Sequence, residues 1–192
     1  MAIPILPTYS AGQILTSDDM NDVSTLGNYQ GLFWIKSQTV GNAVTSVTVS
    51  SAFSSDFDSY RIIYSGGSAS AGGDLRMTLG ASAASYYSSV VYSAWTGSNG
   101  NSGYNNLAYW QAGLSRTIGN SVALDVHRPF LAERTFMQGS IVSLDTSAFG
   151  YQGHLGGIHN VATSYSAFTL TISAGNFTGG TIRVYGYRNS YS

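Results

Sequence analysis

Cysteine is absent from the 192 residues, which removes disulfides and thiolate metal sites together and leaves the compartment open. Charge is nearly as scarce. Asp, Glu, Lys and Arg make up 9% of the chain, against about 25% in an ordinary globular protein. Lys36 is the single lysine and Glu133 the single glutamate, so the residues that most often clothe exposed helices are missing. That scarcity argues against a helix-rich fold. It predicts a mostly β chain whose solvent-facing work falls to hydroxyls, amides and phenols. Such a surface suits a particle component packed against copies of itself and other subunits better than a self-repelling soluble enzyme. The formal net charge of −1 gives no electrostatic reason to expect nucleic acid or an anionic membrane as a partner. No run approaches the ~20 apolar residues of a membrane-spanning helix. The opening MAIPILPTYS lacks the basic region of a secretory signal.

What is present is punctuated β sequence. Pro4 and Pro7 push the residues before them into extended conformations, so residues 1–11 are expected to be an arm. Residues 16–26 are the one good helix candidate. Thr16 is the natural N-cap, Asp19 stands at N3 of a capping box, and Leu15 and Met20 have the spacing of a hydrophobic staple. Met20 and Val23 share a face, and Gly27 supplies the stop. From Gly31 onward the period is two. Strands are expected at 32–38, 43–49, 60–65, 75–80, 86–93, 107–111, 121–127, 135–143, 151–157, 168–173 and 181–187. The pair 168–173 and 181–187, joined by the glycine-containing 175–180 segment, reads as the clearest hairpin. Between strands, Phe53 and Phe57 in the serine-rich 51–59 segment are expected to plug one end of the core. These features predict an all-β fold. An antiparallel β-sandwich or jelly-roll-like head (31–192) follows an extended N-terminal arm with one short helix (1–30).

Chemistry is hard to find in this chain. Asp125 and His127 lie two apart on an expected strand and so share a face, an arrangement that suits a polar surface pair far better than a general base. His154 and His159 are five apart with no carboxylate following, unlike a metal pair. Asp125, Glu133 and Asp145 are scattered carboxylates without a glycosidase motif. No nucleophile elbow or phosphate-binding loop occurs. The expectation is no catalytic residues, no metal and no cofactor.

The segment 92–110, YSAWTGSNGNSGYNNLAYW, does stand out. It combines Trp95, Tyr104, Tyr109 and Trp110 with Asn99, Asn101, Asn105 and Asn106 in a glycine-rich setting. Flat aromatic faces beside amide groups suit recognition of a sugar or another protein. The same residues also make an ordinary hairpin loop packed over a sandwich edge.

The opening PTYSAGQILTSDDMNDVSTLGNY resembles the short leader that precedes a β domain in many tailed-bacteriophage virion proteins. Here Ser17-Asp18-Asp19 replaces the more usual small residue, a change that keeps the helix-cap logic. The runs GLFWIKSQTVGNAVTSVTVSSAFSSDFDSYRIIYSGG and LTISAGNFTGGTIRVYGYRNS are similar to a β-rich module of phage tail-fibre and minor tail proteins. The resemblance implies a structural or adhesive role on a virion, usually as a homotrimer. The arm (Pro4, Pro7, Leu15, Thr16, Asp19, Met20, Val23) would dock to other virion proteins, and the head would meet a host surface glycan or protein. A tail position is expected before a capsid one. The alternative is a capsid decoration (cement) protein clamping neighbouring capsomers, and a small glycan-degrading enzyme ranks third.

Overall fold

The computed structural model describes residues 16–17, 31–146 and 149–187. The arm expected over 1–11, and the helix expected over 16–26 apart from Thr16 and Ser17, lie outside those residues. So do Pro4, Pro7, Leu15, Asp19, Met20 and Val23.

From Leu32 the described chain is built of antiparallel strands. They run, in order, as β1 (Leu32–Thr39), β2 (Asn42–Val44), β3 (Ser46–Val49), β4 (Ser59–Ala69), β5 (Gly73–Leu79), β6 (Tyr86–Ala94) and β7 (Asn99–Leu107). They continue as β8 (Trp110–Ser115), β9 (Gly119–His127), β10 (Thr135–Thr146), β11 (Phe149–His159), β12 (Phe168–Ile172), β13 (Phe177–Thr178) and β14 (Thr181–Tyr187). Eight strands form the large sheet in the order β1-β14-β4-β9-β10-β11-β6-β7, with β13 and β2 extending it beside β4. A smaller sheet, β3-β12-β5-β8, packs on one face. The fold is an all-β sandwich, as the composition predicts. Its layers are unequal, unlike the even division of a jelly roll.

The core lies between the sheets and follows the period-two alternation. Tyr60, Ile62 and Tyr64 of β4 and Val122, Leu124 and Val126 of β9 point inward. Val47, Val49, Leu75, Met77, Phe168 and Leu170 meet them from the small sheet. Phe53 is buried against Tyr60 and Phe168, with ring centroids 4.8 and 5.7 Å away. Phe57 is half-buried against Tyr60 and Phe33. The 51–59 segment thus closes this end of the core through its two phenylalanines.

Three local expectations need correction. The 43–49 strand is two strands in different sheets. Val44 pairs with Phe177 while Val47 pairs with Leu170, and the chain bends between them at Thr45. The 107–111 strand falls across a bend, because Leu107 ends β7 and Trp110 starts β8 in the other sheet. Finally, 168–173 and 181–187 are not a hairpin. β12 pairs with β3 and β5, whereas β14 pairs with β1 and β4. The alternation in both segments is genuine, but local pattern carries no information about which sheet receives a strand. The positive φ expected of Gly179 and Gly180 does occur, at 72° and 100°, where it joins β13 to β14 along the edge of β4.

The small sheet covers only the inner face of the large one, and the register orders the outer face into rows. One row runs Leu32, Tyr187, Ser59, His127, Phe136, Ile158 and Tyr87. A parallel row further along the strands runs Ser121, Val142, Gln152, Ser93 and Asn99. On β10 the two rows are six residue steps apart, from Phe136 to Val142, about 20 Å at ~3.3 Å per residue. The chain enters the large sheet at the first row and turns through Trp95 beyond the second.

Candidate recognition surface

The 92–110 segment is largely strand. β6 and β7 pair antiparallel through the turn at Trp95-Thr96-Gly97-Ser98. Ala94 N–H donates to Ser98 C=O (2.7 Å) and Gly97 N–H to Ala94 C=O (2.9 Å), and Gly97 sits at φ 91°. The eight residues singled out by sequence do not converge on one point. Trp95 is on the turn and 54% exposed. Asn99 and Asn101 are exposed on β7, in register with Ser93 and Val91 of the outer face. Asn105 is exposed, and Asn106, at φ 53°, accepts a bond from Ser85 N–H (3.2 Å). Tyr104 is half-buried against the core, and burial, followed by the nearby Asp74 charge, raises its phenol pKa. Tyr109 lies beneath the Arg76 guanidinium, 4.2 Å from ring centre to carbon. Trp110 is fully buried, edge-on to Tyr86 at 5.3 Å. Tyr104, Tyr109 and Trp110 therefore brace the sandwich, Asn105 and Asn106 lie at the far end of β7, and Trp95, Asn99 and Asn101 are exposed at the end near the turn.

What Trp95 meets is remote in sequence. Its backbone N–H donates to Gly150 C=O (3.0 Å), and its indole lies against Gly150, where a Cβ would stand 2.8 Å from two ring atoms. Only glycine allows that approach. The indole borders a cleft of about 500 Å³ with Ile118, Val142 and Leu144 as its apolar wall. Gly66, Gly67 and Gly119 keep the backbone side low, and Ser68, Ser121 and Thr178 bring hydroxyls. Among the described residues none that lines it carries a formal charge. A second depression of about 350 Å³ adjoins it through Val142 and is bordered by Ser93, Asn99, Ser140, Gln152 and His154. Sequence reasoning singled out Trp95 and Asn99 but missed Ile118, Val142, Leu144 and Gln152. Val142 and Leu144 on β10, Gln152 on β11 and Ile118 at the bend before β9 carry only the signal of an outward position, and register makes them a site.

The other polar groups are engaged structurally. Asp125 and His127 do share the outer face, but each has its own partner. Arg61 Nε and Nη2 donate to the two Asp125 carboxylate oxygens at 3.0 Å each, and Tyr187 Oη–H donates to Oδ1 at 2.6 Å. Burial, reinforced by the hydrogen bond and charge of Asp125, pushes the Tyr187 phenol up to about 12. His127 Nδ1 is 3.0 Å from Ser59 Oγ. Glu133 is paired with Arg128 on the surface, and the Asp145 carboxylate accepts from Thr117 Oγ1 (2.8 Å). His154 is exposed on the outer face and His159 is buried on the inner one, since an odd spacing sends strand residues to opposite sides. His159 stacks on Tyr86 at 4.1 Å. Its Nδ1 faces Ser85 C=O at 3.3 Å, and its Nε2 lies 2.8 Å from Tyr165 Oη and 3.1 Å from Ser82 Oγ. Burial lowers its pKa, opposed by the bond to Ser85. Among the described residues no three His, Cys, Asp or Glu side chains gather as a metal-binding group.

No protein-family model matches the chain, and a search of curated proteins returns no significant match.

Proposed function

We propose that this chain is a structural subunit of a tailed-phage virion. It is a tail-fibre or receptor-binding component attached through residues 1–30 and meeting the host surface with its β-sandwich head. The observation that carries this reading is the polarity of the large sheet. The chain enters at Leu32, in the row of Tyr187 and Phe136, and the Trp95 cleft lies beyond the Val142 row at the opposite end. Leu32 and the cleft thus stand at opposite ends of one sheet, a separation that suits an anchor and a reader.

The uncovered face supports the same view. Trp34 is 58% exposed, and Phe136 and Val142 are each 49% exposed. Exposed apolar residues spread over one face suit contact with other macromolecules. The Arg61–Asp125 pair is internally neutralised, so copies packed around an axis meet little like-charge repulsion. A homotrimer is the proposed assembly.

Deletion of residues 1–30 tests the reading. The expected product is a folded head, with the circular dichroism of the full chain, that fails to join virions in a complementation assay. Incorporation of the truncated protein would refute the anchor. Copy number on purified particles separates tail from capsid: a few tens or fewer fit the tail, whereas hundreds would assign the chain to capsid decoration. Multi-angle light scattering should give three times the chain mass, and a monomer at micromolar concentration would refute the trimer.

A further inference from the structure

We infer that the Trp95 cleft is a binding site for a neutral saccharide, with the Trp95 indole as the stacking platform for a pyranose ring. This rests on the host-contact reading above and names its ligand class and place.

Three observations converge on that class. The first is the platform. Gly150 is buried beneath the indole, which fixes one ring face against the β11 backbone while Trp95 stays 54% exposed. An immobilised indole loses little conformational entropy on binding, and its flat face suits the axial C–H surface of a sugar ring. The second is the charge pattern. Among the described residues no Asp, Glu, Lys or Arg borders either depression, and His154 is the single titratable side chain there apart from the Tyr92 phenol. A sialic acid, uronic acid or phosphate would lose its hydration there and gain no cationic partner. A neutral ring meets no such penalty. The third is the supply of hydrogen-bonding groups around the apolar wall. Ser68, Ser121 and Thr178 stand at the Trp95 cleft, and Asn99, Ser140 and Gln152 at the neighbouring depression that shares Val142 with it. Short hydroxyl and amide side chains both donate and accept, as sugar hydroxyls do. An apolar floor with a few such groups is the general form of a small-molecule site.

The shared wall at Val142 sets the size of the ligand. The volumes, about 500 and 350 Å³, succeed one another along the sheet, so more than one sugar unit is accommodated. The unit stacked on Trp95 occupies the larger space. The next reaches the Gln152–Ser93–Asn99 row, whose members are direct cross-strand neighbours.

The test uses the purified full chain and a panel of oligosaccharides. Neutral members contain glucose, galactose, mannose or N-acetylglucosamine, and acidic members end in sialic or glucuronic acid. Saturation-transfer NMR and tryptophan fluorescence are read together in a Trp34→Phe background, because Trp110 is buried and Trp34, 58% exposed, would otherwise report beside Trp95. At least one neutral oligosaccharide is expected to bind and the acidic ones not. Trp95→Ala should weaken binding by roughly tenfold or more, as loss of one aromatic contact implies, and Trp95→Phe should keep part of it. Gln152→Ala should weaken a di- or trisaccharide more than a monosaccharide. Circular dichroism and urea midpoints verify that each variant folds. The inference is overturned if no neutral saccharide binds, if Trp95→Ala binds as the parent does, or if acidic sugars bind as well as neutral ones. Failure here with the chain present on virions removes the saccharide and leaves the virion role. Binding intact with the chain absent from virions does the reverse.

Discussion

At the scale of single residues, His159 is where pH acts. With Nδ1–H donating to Ser85 C=O and Nε2 accepting from Tyr165 Oη–H, the ring fits as the neutral tautomer that this hydrogen-bond network assigns. Protonation would turn Nε2 into a donor facing two hydroxyls in a buried site. Its pKa is lowered, chiefly by burial, so the unfolded chain takes up the proton first. Stability is then complete above about pH 6.5, the unfolded value, and declines as pH falls from there toward the lower folded value. Urea midpoints measured from pH 7.5 down to 5 should show this decline, and His159→Phe should flatten it. An unchanged slope in that variant would count against the assignment. Gly180 makes a second residue-scale case. It sits at φ +100°, and an added Cβ would come within 2.7 Å of the Tyr64 ring and 2.9 Å of Gly67. Gly180→Ala is expected to cost about 1–3 kcal/mol from backbone strain and crowding together, read as a drop in urea midpoint without a change in slope.

The strands as elements carry two distinct jobs on their two faces. β10 buries Met137 and Ile141 while showing Phe136, Gln138, Ser140 and Val142 to solvent. Outward substitutions should therefore leave folding almost untouched. Phe136→Lys is expected to alter stability by no more than about 0.5 kcal/mol, as at ordinary surface sites. If that end of the face packs against neighbouring copies, the same change should shift light scattering toward monomer. Retained trimer mass would move the subunit interface elsewhere on the molecule. The small sheet answers differently. β8 is buried along all six residues, so Trp110→Ala should cost about 3–5 kcal/mol, the range for removing a core aromatic.

For the whole molecule, the decisive feature is closure by distant segments. β1 pairs with β14, joining Leu32 to Tyr187, and the described chain passes back and forth between the sheets, first at Thr45 and last between β12 and β13, because each of β3, β5, β8 and β12 is flanked by strands of the large sheet. Long loops must close before such pairings stabilise anything. Refolding from urea is accordingly expected on the millisecond-to-second scale typical of non-local β topologies. Microsecond refolding in stopped-flow or temperature-jump measurements would contradict that topology. The same non-locality explains what was legible beforehand. Strand positions such as 181–187, and the shared face of Asp125 and His127, follow from alternation within a few residues. The false hairpin of β12 and β14 arose because adjacent alternating segments look alike whether they pair or part. The 92–110 segment reads as one cluster in the sequence, yet its aromatics divide. Trp95 faces outward, while Trp110 enters the core two strands later.

By itself the sequence determined the β class, the nearly charge-free exterior and the inward or outward sense of most side chains. A two-residue period and composition are properties of short stretches of chain. Tertiary structure alone decided which strands became neighbours, and with that the cleft itself. Trp95 reaches Gly150, and both come beside Ile118 and Val142, only after the register of β6, β11 and β10 is set. Register is fixed by the burial of one whole sheet face against another, an energy that no single segment contains.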